Sequence, residues 1–144
     1  MTTDGNTGTF LFVYGTLRRD AGWEMGQELV ESTAFIGDGF FQGLLYMVDG
    51  YPGVVPSADP RDVVHGEVYR LHCPADTLAR LDRYEEYDPE SPTTSEFIRV
   101  MKKVGLADGN TVNAWIYLYN HPVDTLTPIT SGDFPPESTK IMRK

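Results

Sequence analysis

Short apolar runs, each cut off by glycine, proline or a polar turn, recur along this chain and leave little of it for helix. Segments 9–14, 33–36, 40–48, 63–71, 97–104 and 112–119 are rich in β-branched and aromatic residues, the side chains that fit a pleated surface. Both faces of 9–14 are apolar, so this run is expected as a central strand covered on two sides. Gly37, Gly39 and Gly43 fall in or between the second and third runs and predict bulges or tight bends in a curved sheet. "DGYPGVVPSADP" at 49–60 reads as a turn-rich loop, and the Asp-Gly pair within "LADGNT" joins the last two runs as a hairpin.

Helix is expected with most force where Pro74 is followed by "ADTLARLDRYEE", because proline suits the first helical position and the rest form helix readily. A shorter helix is expected over 23–32, where Met25 and Leu29 lie four apart but Gly22 and Gly26 oppose it. "DPESPTTS" at 88–95 forbids helix and makes a long polar loop. The tally is an α+β domain: a small, strongly curved, mostly antiparallel, barrel-like sheet with one or two packed helices.

The 144 residues suffice for one domain, expected over 9–134, with loose polar ends at 1–8 and 135–144. Hydrophobic residues at 40% and charged residues at 23% fit a globular chain, and no apolar run is long enough to span a membrane. The start lacks the pattern of a signal peptide, and Cys73 stands alone, which together point to the reducing cytoplasm. A formal charge of −9 repels nucleic acid. His65, His72 and His121 show no ligand spacing, so neither a metal nor another cofactor is expected. Oligomeric state is not legible.

One acid stands out. On a helical wheel with Leu78 at zero, Leu81 falls at about −60° and Glu85 at about −20°, between the two leucines, while Glu86 falls at about 80°, at the edge of the stripe. Arg80 and Arg83 occupy the opposite side, and Asp82, toward an edge of the stripe at about 40°, is placed to orient the helix end. A carboxyl aimed into a core is costly to ionise, so its pKa rises unless a cation or several donors meet it, and such tuning suits a glutamate that exchanges protons near neutral pH. The plainer reading is a solvated terminal glutamate, or one paired with an arginine such as Arg99.

"VYGTLRR" at 13–19, "GYPGVV" at 50–55, "GEVYRL" at 66–71 and "LDRYEEY" at 81–87, followed by "FIRV", "AWIYLY" and "SGDF", occur in this order. Together they resemble the γ-glutamylcyclotransferase-like (AIG2-like) family. The resemblance implies a small barrel-like α+β fold in which the Tyr-Gly-Thr-Leu loop and a helix-terminal glutamate face one cavity. It further implies that Tyr14, Gly15, Thr16 and Leu17 bind the glutamyl part of a small γ-glutamyl substrate and that Glu85 is the acid/base.

Such a reaction needs no attacking Ser or Cys. In a γ-glutamyl amide the α-amine closes on its own γ-carbonyl, giving 5-oxoproline and a free amine. The protein must fold the substrate, move a proton and stabilise an oxyanion. Exposed loop N–H groups suit the anionic parts, and Gly15 lets a ligand approach the main chain. Tyr51 and Pro52 border the family's cavity, with turn chemistry as the alternative; Tyr117 lines it, with core packing as the alternative, on a face shared with Trp115 and Tyr119. Arg99 either pairs with an acid or binds a substrate carboxylate. Two departures from the family pattern are Glu86, where glycine often follows the acid, and Phe97, where tyrosine is common. A non-catalytic metabolite-binding module and a γ-glutamyl amidohydrolase are the competing readings.

Overall fold

The computed structural model describes residues 8–14, 33–48, 52–84, 87–88, 90 and 95–130. In chain order these form β1 (Phe10–Val13), β2 (Thr33–Met47), β3 (Pro52–Pro56), β4 (Val63–Leu71), α1 (Pro74–Tyr84), β5 (Phe97–Leu106), β6 (Thr111–Tyr119) and β7 (Thr127–Pro128). All four residues of β1 are buried, as an apolar run with two covered faces requires. It lies between β4, antiparallel with Val13 opposite Glu67, and β6, parallel with Leu11 opposite Trp115. β4 pairs next with β2, β2 with β5 at Gly39 and Phe40, and β5 with β6 along its length, so β1, β4, β2, β5 and β6 close a five-stranded barrel. Only the β1–β6 pairing is parallel among these. The α+β, barrel-like expectation is met.

The two runs expected at 33–36 and 40–48 are one strand. Its pairing with β4 shifts register between Phe35 and Gly37 but does not stop. Gly39 and Gly43 serve close packing instead of strand breaking: a Cβ on Gly39 would stand 2.7 Å from Val68 Cγ2, and one on Gly43 2.6 Å from the Val55 carbonyl oxygen. The loop expected at 49–60 also contains a strand, because β3 pairs with β2 from Met47 opposite Pro52 to Gly43 opposite Pro56. Its terminal prolines hid it; they are tolerated because β3 is an edge strand. β7, paired with Tyr46 and Met47, carried no recognisable strand signal. The hairpin between β5 and β6 is as expected, with Gly109 at φ +93° in the left-handed region that favours glycine. The helix expected over 23–32 lies outside the described residues, as do both chain ends apart from Gly8.

Alternation along the strands makes two separate cores. Phe10, Phe12, Phe41, Val64, Val68, Val104 and Ile116 fill the barrel. Leu11, Val13, Tyr69, Leu71 and Tyr117 face outward, and Leu78 and Leu81 of α1 cover them. Among the described side chains of α1, Thr77, Leu78, Leu81 and Asp82 are buried; Leu78, Leu81 and Asp82 lie on the wheel's stripe, whose centre, Glu85, is outside the described residues. Burying each leucine contributes roughly 1.5–3 kcal/mol.

Candidate active site

β1 and β6 run parallel, so the chain leaving β1 comes level with the C-terminal part of β6. Tyr14, buried, donates its hydroxyl to the Tyr117 carbonyl at 2.6 Å. The Tyr117 side chain lies on the α1 side of the sheet, where its own hydroxyl donates to Asp82 Oδ1 at 2.6 Å. Arg99 stands opposite Tyr117 on β5. It grips the same carboxylate with two bonds, Nε to Oδ1 at 2.8 Å and Nη2 to Oδ2 at 3.0 Å. Trp115, two residues before Tyr117 and on the same face, lies under the guanidinium, whose carbon is 4.6 Å from the ring centroid, within cation–π range.

The side chains of Asp82 and Arg99 are only 12% and 17% exposed. Removing one member of such a pair strands the other charge, at a cost of about 3 kcal/mol or more. The Asp82 hydrogen bonds raise the Arg99 pKa above its ordinary value, burial opposes this, and the nearby Asp82, Tyr117 and Tyr87 add to the rise. Arg99 is therefore a permanent cation. Asp82 is held at its main chain too, since its carbonyl accepts from the Tyr87 N–H at 2.8 Å. This five-residue span is the bond that wraps a chain back over a helix end.

Of the expected site residues, Arg99 and Tyr117 are thus brought together at Asp82, and Tyr14 is joined to them through the Tyr117 main chain. Pro52 is not bonded to them. It is buried at the start of β3, and its neighbour Gly53 lies so close to β6 that a Cβ there would meet Tyr119 Cβ at 2.9 Å. Gly15, Thr16, Leu17, Tyr51 and Glu85 lie outside the described residues, as does Glu86. Phe97, buried, packs edge-on against Tyr119 at 5.6 Å. The polar loop at 88–95 is tied at its ends: the Asp88 N–H donates to Ser95 Oγ at 3.0 Å, and Asn120 Nδ2 donates to the Ser95 carbonyl at 3.0 Å. Among the described residues no group of His, Cys, Asp or Glu is placed to hold a metal ion.

Sequence reasoning passed over Glu67. Only 4% exposed, it sits opposite Val13 at the end of β1 and accepts the Tyr69 hydroxyl at 2.8 Å. The signal was the period of β4: Glu67, Tyr69 and Leu71 share the face that α1 covers, so an acid falls among positions that ought to be apolar.

Residues 11–136 match the family described as gamma-glutamyl cyclotransferase, AIG2-like. The chain belongs to this family. Among γ-glutamylcyclotransferase family proteins, it is 34% identical over 125 residues to YtfP of Escherichia coli K12, covering 86% of this chain and 94% of that one. It is also 34% identical over 111 residues to the γ-L-glutamyl-butirosin B γ-glutamyl cyclotransferase of Niallia circulans, covering 76% and 66% of the two chains. An AIG2-like protein from Mus musculus, 21% identical, shares the fold with a TM-score of 0.66 over 90% of this chain and 89% of its own. The family's γ-glutamyl chemistry agrees with the resemblance carried by the motifs. No described helix is long and apolar enough to cross a membrane.

Proposed function

We propose that this chain converts a γ-glutamyl amide to 5-oxoproline and a free amine, without a cofactor, in the cytoplasm. The substrate's α-nitrogen attacks its γ-carbonyl carbon, the new C–N bond closes a five-membered ring, and the old C–N bond to the leaving amine breaks. The α-ammonium gives up two protons, one before attack and one after its nitrogen has bonded to the carbonyl carbon. Glu85 passes each in turn to the departing nitrogen, which leaves as an ammonium ion, so no proton is gained or lost overall. Tyr14, Gly15, Thr16 and Leu17 clamp the glutamyl part, with main-chain N–H groups facing its charged oxygens. Tyr51, Pro52, Arg99 and Tyr117 border the pocket. The reading extends to amides of small amines, amino acids and larger amine carriers alike, because the reacting atoms belong to the glutamyl part.

The observation that carries this reading is the double bonding of Tyr117. Tyr14 and Asp82, one and three residues before Gly15 and Glu85, are both bonded to it. Both motif-bearing segments are thus tied to one residue of β6 by their described neighbours, Tyr14 to its main chain and Asp82 to its side chain, which supports the reading. On the sequence wheel position 85 shares a stripe with Leu78, Leu81 and Asp82, and these three are buried, which supports the choice of Glu85.

The test is 5-oxoproline release from a panel of γ-glutamyl amines. Glu85→Gln is expected to lower turnover by about 10²–10⁴-fold while a γ-glutamyl ligand still binds. Binding without turnover of any panel member would turn the reading toward a metabolite-binding module. Free glutamate carrying oxygen from labelled water would turn it toward an amidohydrolase.

A further inference from the structure

Asp82 stands where a helix is ill served by an acid. In the last turn of α1, Pro74–Tyr84, carbonyl ends concentrate partial negative charge, and a basic residue is favoured over an acidic one by about 0.3–1 kcal/mol. The wheel stripe that Asp82 shares with Leu78 and Leu81 is otherwise apolar apart from Thr77. Both local rules are broken at once, and such breaks concentrate at functional or strained sites. The compensation comes from outside the helix: two bonds from Arg99 on β5 and one from Tyr117 on β6 reach its carboxylate. Its carbonyl meanwhile receives the Tyr87 N–H. One residue thus fastens both ends of the short stretch from 82 to 87, by its side chain to the sheet and by its main chain to the far side.

We infer that Asp82, gripped by Arg99 and Tyr117, is a positioning residue that fixes the stretch carrying the acid at position 85 relative to the loop that follows Tyr14. The functional consequence rests on the cyclotransferase reading; the bonding does not. Tyr117 is the shared member, since its hydroxyl holds the helix end and its carbonyl holds Tyr14. Asp82 touches no reacting atom. It acts by geometry, and misplacement of a catalytic group by about 1 Å can cost about 10²-fold in rate.

The test uses Asp82→Asn and, should that variant not fold, Tyr117→Phe, which removes one hydroxyl. The first readout is amide hydrogen exchange at Tyr87, which needs no substrate. It is expected to speed up by about 10-fold or more while β1 and β4 amides keep their protection, as a local opening does. The second readout is kinetic: kcat is expected to fall about 10- to 100-fold with KM held within about 3-fold, the pattern of misplaced chemistry. Unchanged exchange at Tyr87, a uniform rise across β1 and β4, or an unchanged kcat in a variant that is folded overturns the inference. If the parent protein releases no 5-oxoproline from any panel member, the cyclotransferase reading fails, and the exchange result alone decides whether Asp82 holds this stretch.

Discussion

The inside of the barrel and the layer between barrel and helix are lined by alternate residues of the same strands, yet they differ in what they hold. Inside, Phe12, Phe41, Val64, Val68, Val104 and Ile116 pack with no charged neighbour among the buried residues, and Tyr14, at the margin, sends its hydroxyl to a main-chain oxygen. Beneath α1 the apolar set Leu11, Val13, Tyr69, Leu78 and Leu81 is joined by Glu67, Thr77 and Asp82, all buried. Strand period explains how both layers arise from one sequence. It does not explain the charge. A closed barrel pairs its main-chain groups with one another and leaves few donors inside, so a buried acid there would lack partners. In the helix layer Arg99 of β5 and Tyr117 of β6 supply them to Asp82, and Tyr69 of β4 supplies one to Glu67.

The contrast is most directly broken inside the barrel. A Cβ on Gly66 would lie 2.3 Å from the Val13 carbonyl oxygen and 2.6 Å from Phe12 Cζ, and the first of these is main chain with nowhere to go. Gly66→Val is therefore expected to cost about 3 kcal/mol or more, read as a lowered denaturant midpoint or as loss of soluble folded protein. A Gly66→Val protein of unchanged midpoint would show that the interior has slack and that shape does not set its composition.

The layer beneath α1 is expected to respond to charge balance more than to shape. Asp82→Leu alone leaves Arg99 and the Tyr117 hydroxyl without their acceptor and is expected to cost about 3 kcal/mol. Replacing the whole set, Asp82→Leu with Arg99→Met and Tyr117→Phe, removes the stranded groups and is expected to return stability to within about 1 kcal/mol of the parent. Activity is expected to stay lost in both. Equal destabilisation by the single and triple changes would mean that the polar set holds the fold together and is not kept for what it positions.

Legibility in the sequence followed the same division. Where one rule governed a segment it was read correctly: two-sided apolarity for β1, a 3.6-residue stripe for α1, Asp-Gly for the β5–β6 hairpin. Where two rules competed, the louder one misled. Proline and glycine in "GYPGVVP" announced a turn, although an edge strand tolerates proline at its ends. The glycines of β2 announced bulges or bends, and the register does shift between Phe35 and Gly37, but at Gly39 and Gly43 the requirement is long-range packing against Val68 and Val55, which no local pattern shows. At the candidate site, Tyr14, Tyr117 and Arg99 came from motif order, but their bonding could not: Tyr14 reaches the Tyr117 carbonyl through a parallel β1–β6 pairing about one hundred positions apart, and Arg99 and Tyr117 meet Asp82 only because β5 and β6 pair beneath α1. Periodicity had marked Asp82 only as an orienting residue, and its grip by Arg99 and Tyr117 exists only in three dimensions. Glu67 was legible in principle from the alternation of β4 and was missed because no motif pointed to it.

The smallest expected effect concerns a second ion pair whose bond lengths resemble those at Asp82. Arg61 reaches Asp59 with Nη2 to Oδ2 at 2.9 Å and Nε to Oδ1 at 3.2 Å, but Arg61 is 89% exposed, whereas Arg99 is 17% exposed. Water and salt screen the first pair and not the second. The Arg61 hydrogen bonds lower the Asp59 pKa, so whatever that pair contributes is present above the ordinary aspartate range and is lost as pH falls through the lowered value. Asp82 raises the Arg99 pKa, so that contribution is present up to the ordinary arginine range and is lost only as pH rises through the higher value. Between about pH 6 and pH 10 neither of these two shifted groups titrates. Arg61→Ala is accordingly expected to leave the unfolding midpoint unchanged within error at low and high salt, while Arg99→Ala lowers it by a similar amount across that whole pH window. A midpoint loss for Arg61→Ala matching that of Arg99→Ala would show that bond geometry, and not burial, decides what an ion pair is worth in this fold.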